Sequence, residues 1–255
     1  MLYLLLFLGG PLAVSLYLLL GNPEALKFMV SDPSFPRAVE DTLLLAALII
    51  PVQFILALLA ALLFNRKFYG SSVFTFIFII PLLLSDVSAS IIWYNILSGS
   101  GYLNKFLLNT GITKEPLQIL GYQSPLAEIM AIVVSEVWRA TSLVFIIIFA
   151  GLQYIPREYF EAADVFGATP LQKMFHVTLP LLKPSIQVAL ILRTLYAFQV
   201  FAPMWILTGR DIPVLAGEAY YWYTILINPY VSTLYSIIIA LISIIFTVLY
   251  LRITR

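Results

Sequence analysis

Six stretches of roughly 20 predominantly apolar residues, at 2–20, 40–63, 73–97, 127–150, 184–208 and 231–251, govern what this chain can fold into. Hydrocarbon offers no water to backbone N–H and C=O groups, so an apolar run of that length spans as an α-helix, which bonds them internally. Hydrophobic residues make up 62% of the sequence and charged residues 11%, against about half and a quarter in soluble domains. The expected fold is all-α: one polytopic membrane domain over residues 1–255, with six transmembrane helices. No internal repeat, heptad seam or low-complexity linker divides it.

The first run has no basic residue ahead of it, shows no small-residue cleavage site, and exceeds the roughly 7–15 residues of a signal-peptide core, so it reads as a retained helix. The missing basic flank fits a true start further upstream. Lysine and arginine set the orientation. Arg66 and Lys67 follow the second run, Arg157, Lys173 and Lys183 follow the fourth, and Arg252 and Arg255 end the sequence, all on one side. The opposite segments mix Lys27, Arg37, Lys105, Lys114 and Arg210 with Glu24, Asp32, Glu115, Asp211 and Glu218. The first side is therefore read as the cytoplasm and holds both termini, with the cytoplasmic (inner) membrane as location and the lipid bilayer as partner.

The absence of cysteine removes disulfides, thiolate metal sites and cysteine nucleophiles. A net charge of +1 argues against nucleic acid as a partner. The single histidine, His176, has no metal-ligand companions and suits a solvated or interface position. The segment GSGYLNK, residues 99–105, lacks the spacing of a phosphate-binding loop. No catalytic constellation is found, and a non-enzymatic chain without metal or cofactor of its own is expected.

Two of the apolar runs are interrupted: Pro81 and Asp86 fall within 73–97, and Arg193 and Pro203 within 184–208. Such groups are tolerated at membrane depth only where neighbouring helices or water satisfy them, so both helices are expected to face an interior. Glu136 and Arg139, three apart on the fourth run, can pair locally. Asp86 and Arg193 have no local partner, and either pair with each other across helices or line a polar path.

Between the fourth and fifth runs lies REYFEAADVFGATPLQKMFHVTLP, residues 157–180, charged and bracketed by prolines. Pro156 suits the first turn of a helix, with Glu158 and Glu161 near its positive end. Tyr159, Ala162, Ala163 and Phe166 share one face, and Arg157, Glu158, Glu161 and Asp164 the other. Gly167 is placed to end this helix in a left-handed cap. Thr169 can cap a second helix, with Pro170 first and Gln172 completing a capping box, which is expected to end before Pro180. A helix lying on the bilayer surface is the alternative, but a shallow apolar face and an acidic polar face suit lipid poorly. Small side chains beside acidic ones fit the close approach of another protein.

The pattern Glu161-Ala162-Ala163, three residues, Gly167, nine residues, Val177, one residue, Leu179-Pro180 resembles the EAA loop of the membrane subunits of binding-protein-dependent ABC importers. The likeness extends through SDPSFPRAVEDTL before the second span, GYLNKFLLNTGI in the second outer loop, AGLQYIPREYFEAA leading into the motif, and LTG at 207–209. These stretches are similar to the sugar-uptake branch, and to the first of its two permease subunits in maltose-type and glycerol-phosphate-type systems. Three positions depart from the family pattern: Phe166 where aspartate commonly precedes the glycine, Asp41 where asparagine is usual, and GRDIP in place of a glycine-rich stretch.

The resemblance implies a coupling loop over 151–183, in which Glu158, Tyr159, Glu161, Ala162, Ala163, Asp164, Phe166, Gly167, Leu179 and Pro180 meet a groove on a separate ATPase. Its implied partners are two ATP-binding cassette subunits, which hold ATP and Mg, a second homologous permease, and an extracytoplasmic solute-binding protein. A sugar site needs hydrogen-bonding groups and aromatic faces. On the fifth span Arg193, Tyr196, Gln199 and Val200 fall near one helical face, with Phe198, Phe201 and Trp205 adding aromatic area. Together with Asp86 they form the expected substrate pathway. The loop 98–126, with its helix-like LNKFLLN, is expected to receive the binding protein. An importer of another polar solute remains an alternative, as does an ion-coupled carrier, although neither an inverted repeat nor dense intramembrane carboxylates point to the latter.

Overall fold

A computed structural model describes residues 22–65, 69–121 and 124–253. The expected span 2–20 lies outside the described residues, as do Arg66, Lys67 and Arg255 of the basic side. Every regular element among them is helical: α1 (Glu24–Ser31), α2 (Ser34–Phe64), α3 (Ser71–Ile79), α4 (Asp86–Leu97), α5 (Tyr102–Asn109), α6 (Pro125–Gln153), α7 (Arg157–Val165), α8 (Pro170–Lys173), α9 (Leu179–Ala197), α10 (Ala202–Thr208), α11 (Leu215–Thr224) and α12 (Pro229–Ile253). Four helical stretches, 34–64, 125–153, 170–197 and 229–252, are each long and apolar enough to cross a membrane, and α3 with α4–α5 makes a fifth if that bent pair is counted as one span rather than a re-entrant loop.

The centre of the bundle is α6, packed against α2, α9, α4 and α10. Ile49, Gln53, Ala57 and Ala61 recur every four residues on the buried face of α2, each fully enclosed. Lipid is as apolar as leucine, so helices associate there through close packing, which alanines on facing surfaces permit. On the opposite face Ile55, Leu59 and Leu63 are more than half exposed, as a lipid-facing stripe should be.

Two expected spans are broken. The run 73–97 is no single helix: α3 tightens into a 3-10 turn at Ile80–Leu83, Leu84 is extended, and α4 restarts after a 99° bend. Pro81 cannot donate a helical hydrogen bond. Ser85 then caps the new helix, its hydroxyl oxygen accepting from the Ser88 N–H at 3.1 Å. The run 184–208 ends as a helix at Ala197, turns through 198–201, and resumes as α10 with Pro203 in its first turn.

Pro180 has the reverse outcome. Instead of ending a helix it lies in the first turn of α9, which continues from α8 through a π-helical segment, Met174–Thr178. The Leu179 N–H reaches back to the Met174 carbonyl, one residue further than in an α-helix, and this widened turn lets the chain pass the proline. Within 151–183, α6 extends to Gln153 and α9 begins at Leu179, so both ends of that segment are helical.

The segments at the other end of the bundle are largely helical. α1 and α11 both pack on α12, where Ala25, Met29, Leu215, Val231 and Tyr235 enclose one another. The stretch LNKFLLN is indeed a helix, α5, and the wholly buried Asn104 ties it down. The Asn104 amide donates to the carbonyls of Ser98 and Leu117, both at 3.0 Å, and its oxygen accepts from the Leu117 N–H at 2.7 Å.

Candidate functional site

Residues 156–178 form a small helical unit with little cover from the rest of the chain. α7 has no buried residue, and Tyr159, Val165 and Phe166 are 51%, 86% and 90% exposed. Pro156 sits at the N-cap of α7, one place before the expected first turn. The turn that follows is as the sequence predicts. Gly167 has φ +68°, a conformation other residues adopt at a penalty, and its N–H donates to the Asp164 carbonyl. The Ala168 N–H reaches Ala163, completing the pair of bonds that closes a helix end.

The Thr169–Gln172 capping box is formed in both directions. Lys173 pairs with Asp164 across the turn, bracing the two arms. Glu158, Glu161 and Ala162 are left exposed on α7, while Ala163 is half-buried. Leu179 and Pro180 belong instead to the base of α9, and exposed His176 contacts the Gln172 carbonyl at 3.0 Å through Nδ1.

Four charges of the apolar runs, Asp86, Glu136, Arg139 and Arg193, are gathered into one chain. Arg139 on α6 pairs with Asp86 at 2.9 Å and with Glu136 at 3.3 Å. Glu136 in turn pairs with Arg193 on α9 at 2.9 Å, both side chains 1% exposed. The Arg193 Nε donates to the Gln53 carbonyl oxygen, and Gln53 Nε2 donates to the Glu136 backbone carbonyl at 2.7 Å. Asp86 and Arg193 therefore do not meet; Arg139 and Glu136 lie between them. Two positive and two negative groups cancel, which is the condition for charge to persist away from water.

Sequence reasoning missed Gln53, although a lone glutamine inside the run 40–63 was a signal. It also missed Ser142, whose hydroxyl donates at 2.5 Å to the Phe78 carbonyl on α3.

The expected pathway residues separate. Arg193 and Val200 are buried, whereas Tyr196 and Gln199 are exposed; the helix stops at Ala197, so Gln199 and Val200 lie beyond it. Gln199 lines a groove of about 500 Å3 with Leu195, Ser236, Ala240 and Ser243, the last with a buried hydroxyl lacking a partner among the described residues. Phe201, Trp205 and Tyr220 form a separate aromatic cluster, with ring centroids 4.6–5.7 Å apart.

In the segment that departs from the family pattern, Arg210 takes φ +93° and makes a two-pronged pair with buried Glu218, both bonds 2.8 Å. Its guanidinium lies 3.6 Å from the centroid of the Tyr221 ring. Hydrogen bonding to Glu218 holds the Arg210 proton more tightly than usual, despite partial burial, and raises its pKa.

Comparison with known proteins agrees with this architecture. The chain is 30% identical over 196 residues to the probable ABC transporter permease protein YesP of Bacillus subtilis, covering 76% of this chain and 62% of that one. It is 33% identical over 215 residues to the trehalose/maltose transport system permease protein MalF of Thermococcus litoralis, covering 81% and 70%. The matched region is thus less than two thirds of the length of the first of these relatives and 70% of the second. A chain of a bacterial alginate ABC transporter, solved in complex with an alginate pentasaccharide-bound periplasmic protein, shares the fold at TM-score 0.84 and 21% identity, covering 100% and 90%. Residues 53–255, which carry the buried charge chain, the projecting turn and the helices that join them, match the family described as binding-protein-dependent transport system inner membrane component, and the chain belongs to that family.

Proposed function

We propose that this chain is a permease subunit of an ATP-driven importer, forming half of a translocation path for a sugar or oligosaccharide delivered by an extracytoplasmic binding protein. The observation that carries the reading is the exposed, internally braced turn at 157–173, which is continuous with a spanning helix as far as Ala197. A rigid projection with uncovered apolar side chains at its tip suits insertion into a groove of a separate ATPase. Glu161 makes a charged contact there, and Ala162 and Ala163 allow close approach. ATP and its Mg are bound by two such ATPase subunits, on the cytoplasmic side of the inner membrane, and a second homologous permease completes the path.

The sugar assignment draws on the trehalose/maltose relative, and the binding-protein partner on the complex solved for the alginate transporter. Tyr196 and Gln199, exposed at the end of α9, are the pathway residues this reading retains. Asp86 and Arg193 act within the buried charge chain instead.

Affinity purification of the detergent-solubilised chain from its native membranes tests the proposal. Wild type is expected to bring down an ATP-binding subunit and a homologous permease, and Glu161→Lys to lose the ATPase while keeping the permease. Purification of the wild type without any ATPase would reject the reading and favour a carrier driven by ions.

A further inference from the structure

The 99° bend between the stretches 71–83 and 86–109 is held from both sides by one face of α6. Before the bend, Ser142 on α6 donates to the Phe78 carbonyl at 2.5 Å. After it, Arg139, one turn away on the same face, pairs with Asp86, the first residue of α4, at 2.9 Å. The intervening Leu84 and Ser85 are extended: the Leu84 N–H closes the 3-10 turn on the Pro81 carbonyl and the Ser85 carbonyl opens α4 by accepting from the Ala89 N–H, so each belongs to its own arm and the two attachments to α6 hold the arms on either side of the junction.

The same face continues to Glu136, which grips Arg193. Arg193 lies on the helical stretch 170–197, whose far end is the Gly167 turn. Gln53 locks the junction by bonding both Arg193 and the Glu136 backbone. A displacement of that helix thus meets a short linkage, buried at Arg193 and Glu136, that ends at the bend.

We propose that Arg139, Ser142 and Asp86 clamp the bend, and that the Glu136–Arg193 pair ties the clamp to the helix rising from the Gly167 turn, so that movement of the turn is delivered as a change in the bend angle. These are positioning residues: they act on the translocation path by setting where α4 lies. Asp86 is the open end of the linkage, with its side chain 48% exposed against 1% for Glu136 and Arg193, and is the point where the clamp can loosen without unpairing the interior. The inference rests on the proposed coupling of the turn to an ATPase.

The test uses spin labels on the two arms, at Phe76→Cys and Tyr94→Cys, which are 65% and 45% exposed. The sequence has no cysteine of its own, so within this chain only these positions are labelled. Distances are measured by double electron–electron resonance in nanodiscs, for the chain alone and for the complex purified with its ATPase, with and without a non-hydrolysable ATP analogue and Mg2+. In the chain alone, Asp86→Asn is expected to broaden the distance distribution, and Asp86→Glu to restore it. In the complex, nucleotide is expected to shift the mean distance in wild type. Asp86→Asn and Arg193→Gln are both expected to lose that shift while the ATPase stays bound.

An unchanged distribution in the Asp86→Asn chain overturns the clamp. A wild-type complex in which nucleotide leaves the distance unmoved overturns the linkage, as does an Arg193→Gln complex that shifts like wild type. Failure of any ATPase to co-purify removes the proposed function instead, and the chain-alone measurement still decides the clamp.

Discussion

The substitution Gly151→Ala has a consequence that can be worked from the packing. Gly151 lies on α6 where α9 crosses it, and an added Cβ would stand 2.2 Å from the Ser185 hydroxyl, 2.7 Å from the Ser185 Cβ and 3.0 Å from a Leu182 methyl. The hydroxyl can rotate away, but the Ser185 Cβ is fixed by its backbone, so the helices must separate by roughly 0.7 Å to regain ordinary contact. Overpacking of this kind costs about 1–3 kcal/mol. Alanine recovers about 1 kcal/mol over glycine in helix propensity. The net is a loss of about 1 kcal/mol, or a fall in thermal midpoint of roughly 2–4 °C for a chain of this size.

Ser185→Gly removes both of the closest atoms, so the double variant is expected to regain most of the loss, with a coupling of about 1–2 kcal/mol between the sites. Thermal unfolding of the four detergent-purified proteins, followed by size-exclusion chromatography of a fluorescent fusion, reads all corners of the cycle. Strictly additive midpoints, or a Gly151→Ala protein as stable as wild type, would refute close helix approach as the reason for glycine here.

The other expectations concern groups whose partners are known. Arg193→Met strands half of the Glu136 charge and is expected to lower stability by about 3–5 kcal/mol; Glu136→Leu combined with it leaves the Asp86–Arg139 pair intact and should be the more stable protein in the same melting assay. Asn104→Ala removes the side-chain partner of the Leu117 N–H and C=O and one of the two donors to the Ser98 carbonyl, and a local loss of about 1–3 kcal/mol is expected to appear as faster limited proteolysis within 98–120. Gly167→Ala forces a side chain into φ +68° at about 1–2 kcal/mol, and is expected to speed amide exchange across 157–173 with no change in the melting of the bundle. Equal exchange in that segment would show that the turn does not depend on glycine.

Much of the fold was legible because membrane burial leaves one backbone solution per long apolar run. The spans at 40–63, 127–150 and 231–251 are helices with ends displaced by a few residues. The local chemistry of the projecting turn was legible too, since a left-handed glycine cap and a capping box each depend on residues at most five positions apart. The charge chain was only half legible. Spacing revealed the Glu136–Arg139 pair, but which helix brings a partner to Asp86 or Arg193 depends on packing between residues more than fifty positions apart. Tyr196 and Gln199 were grouped with Arg193 and Val200 by the spacing of one helix, and the helix ends at Ala197, before Gln199 and Val200.

The prolines explain why such breaks are hard to read. Pro51 lies inside α2 and Pro184 inside α9, and both helices continue. Pro81 accompanies a 99° bend, Pro203 opens a new helix, and Pro180 follows a π-turn that keeps the helix whole. Each removes the same N–H and crowds the same preceding turn, so intrinsic preference cannot separate the outcomes. What differs is the surroundings. At the bend, Ser142 supplies a donor to the Phe78 carbonyl and Arg139 a counter-charge to Asp86, so a broken backbone is held by its neighbours. At Pro180 the adjustment is internal, because the Leu179 N–H simply bonds one residue further back. A helix break at membrane depth is therefore a property of the helix facing it. Here that helix is α6, whose serine and arginine make the bend tolerable and whose glutamate joins it to the helix from the projecting turn.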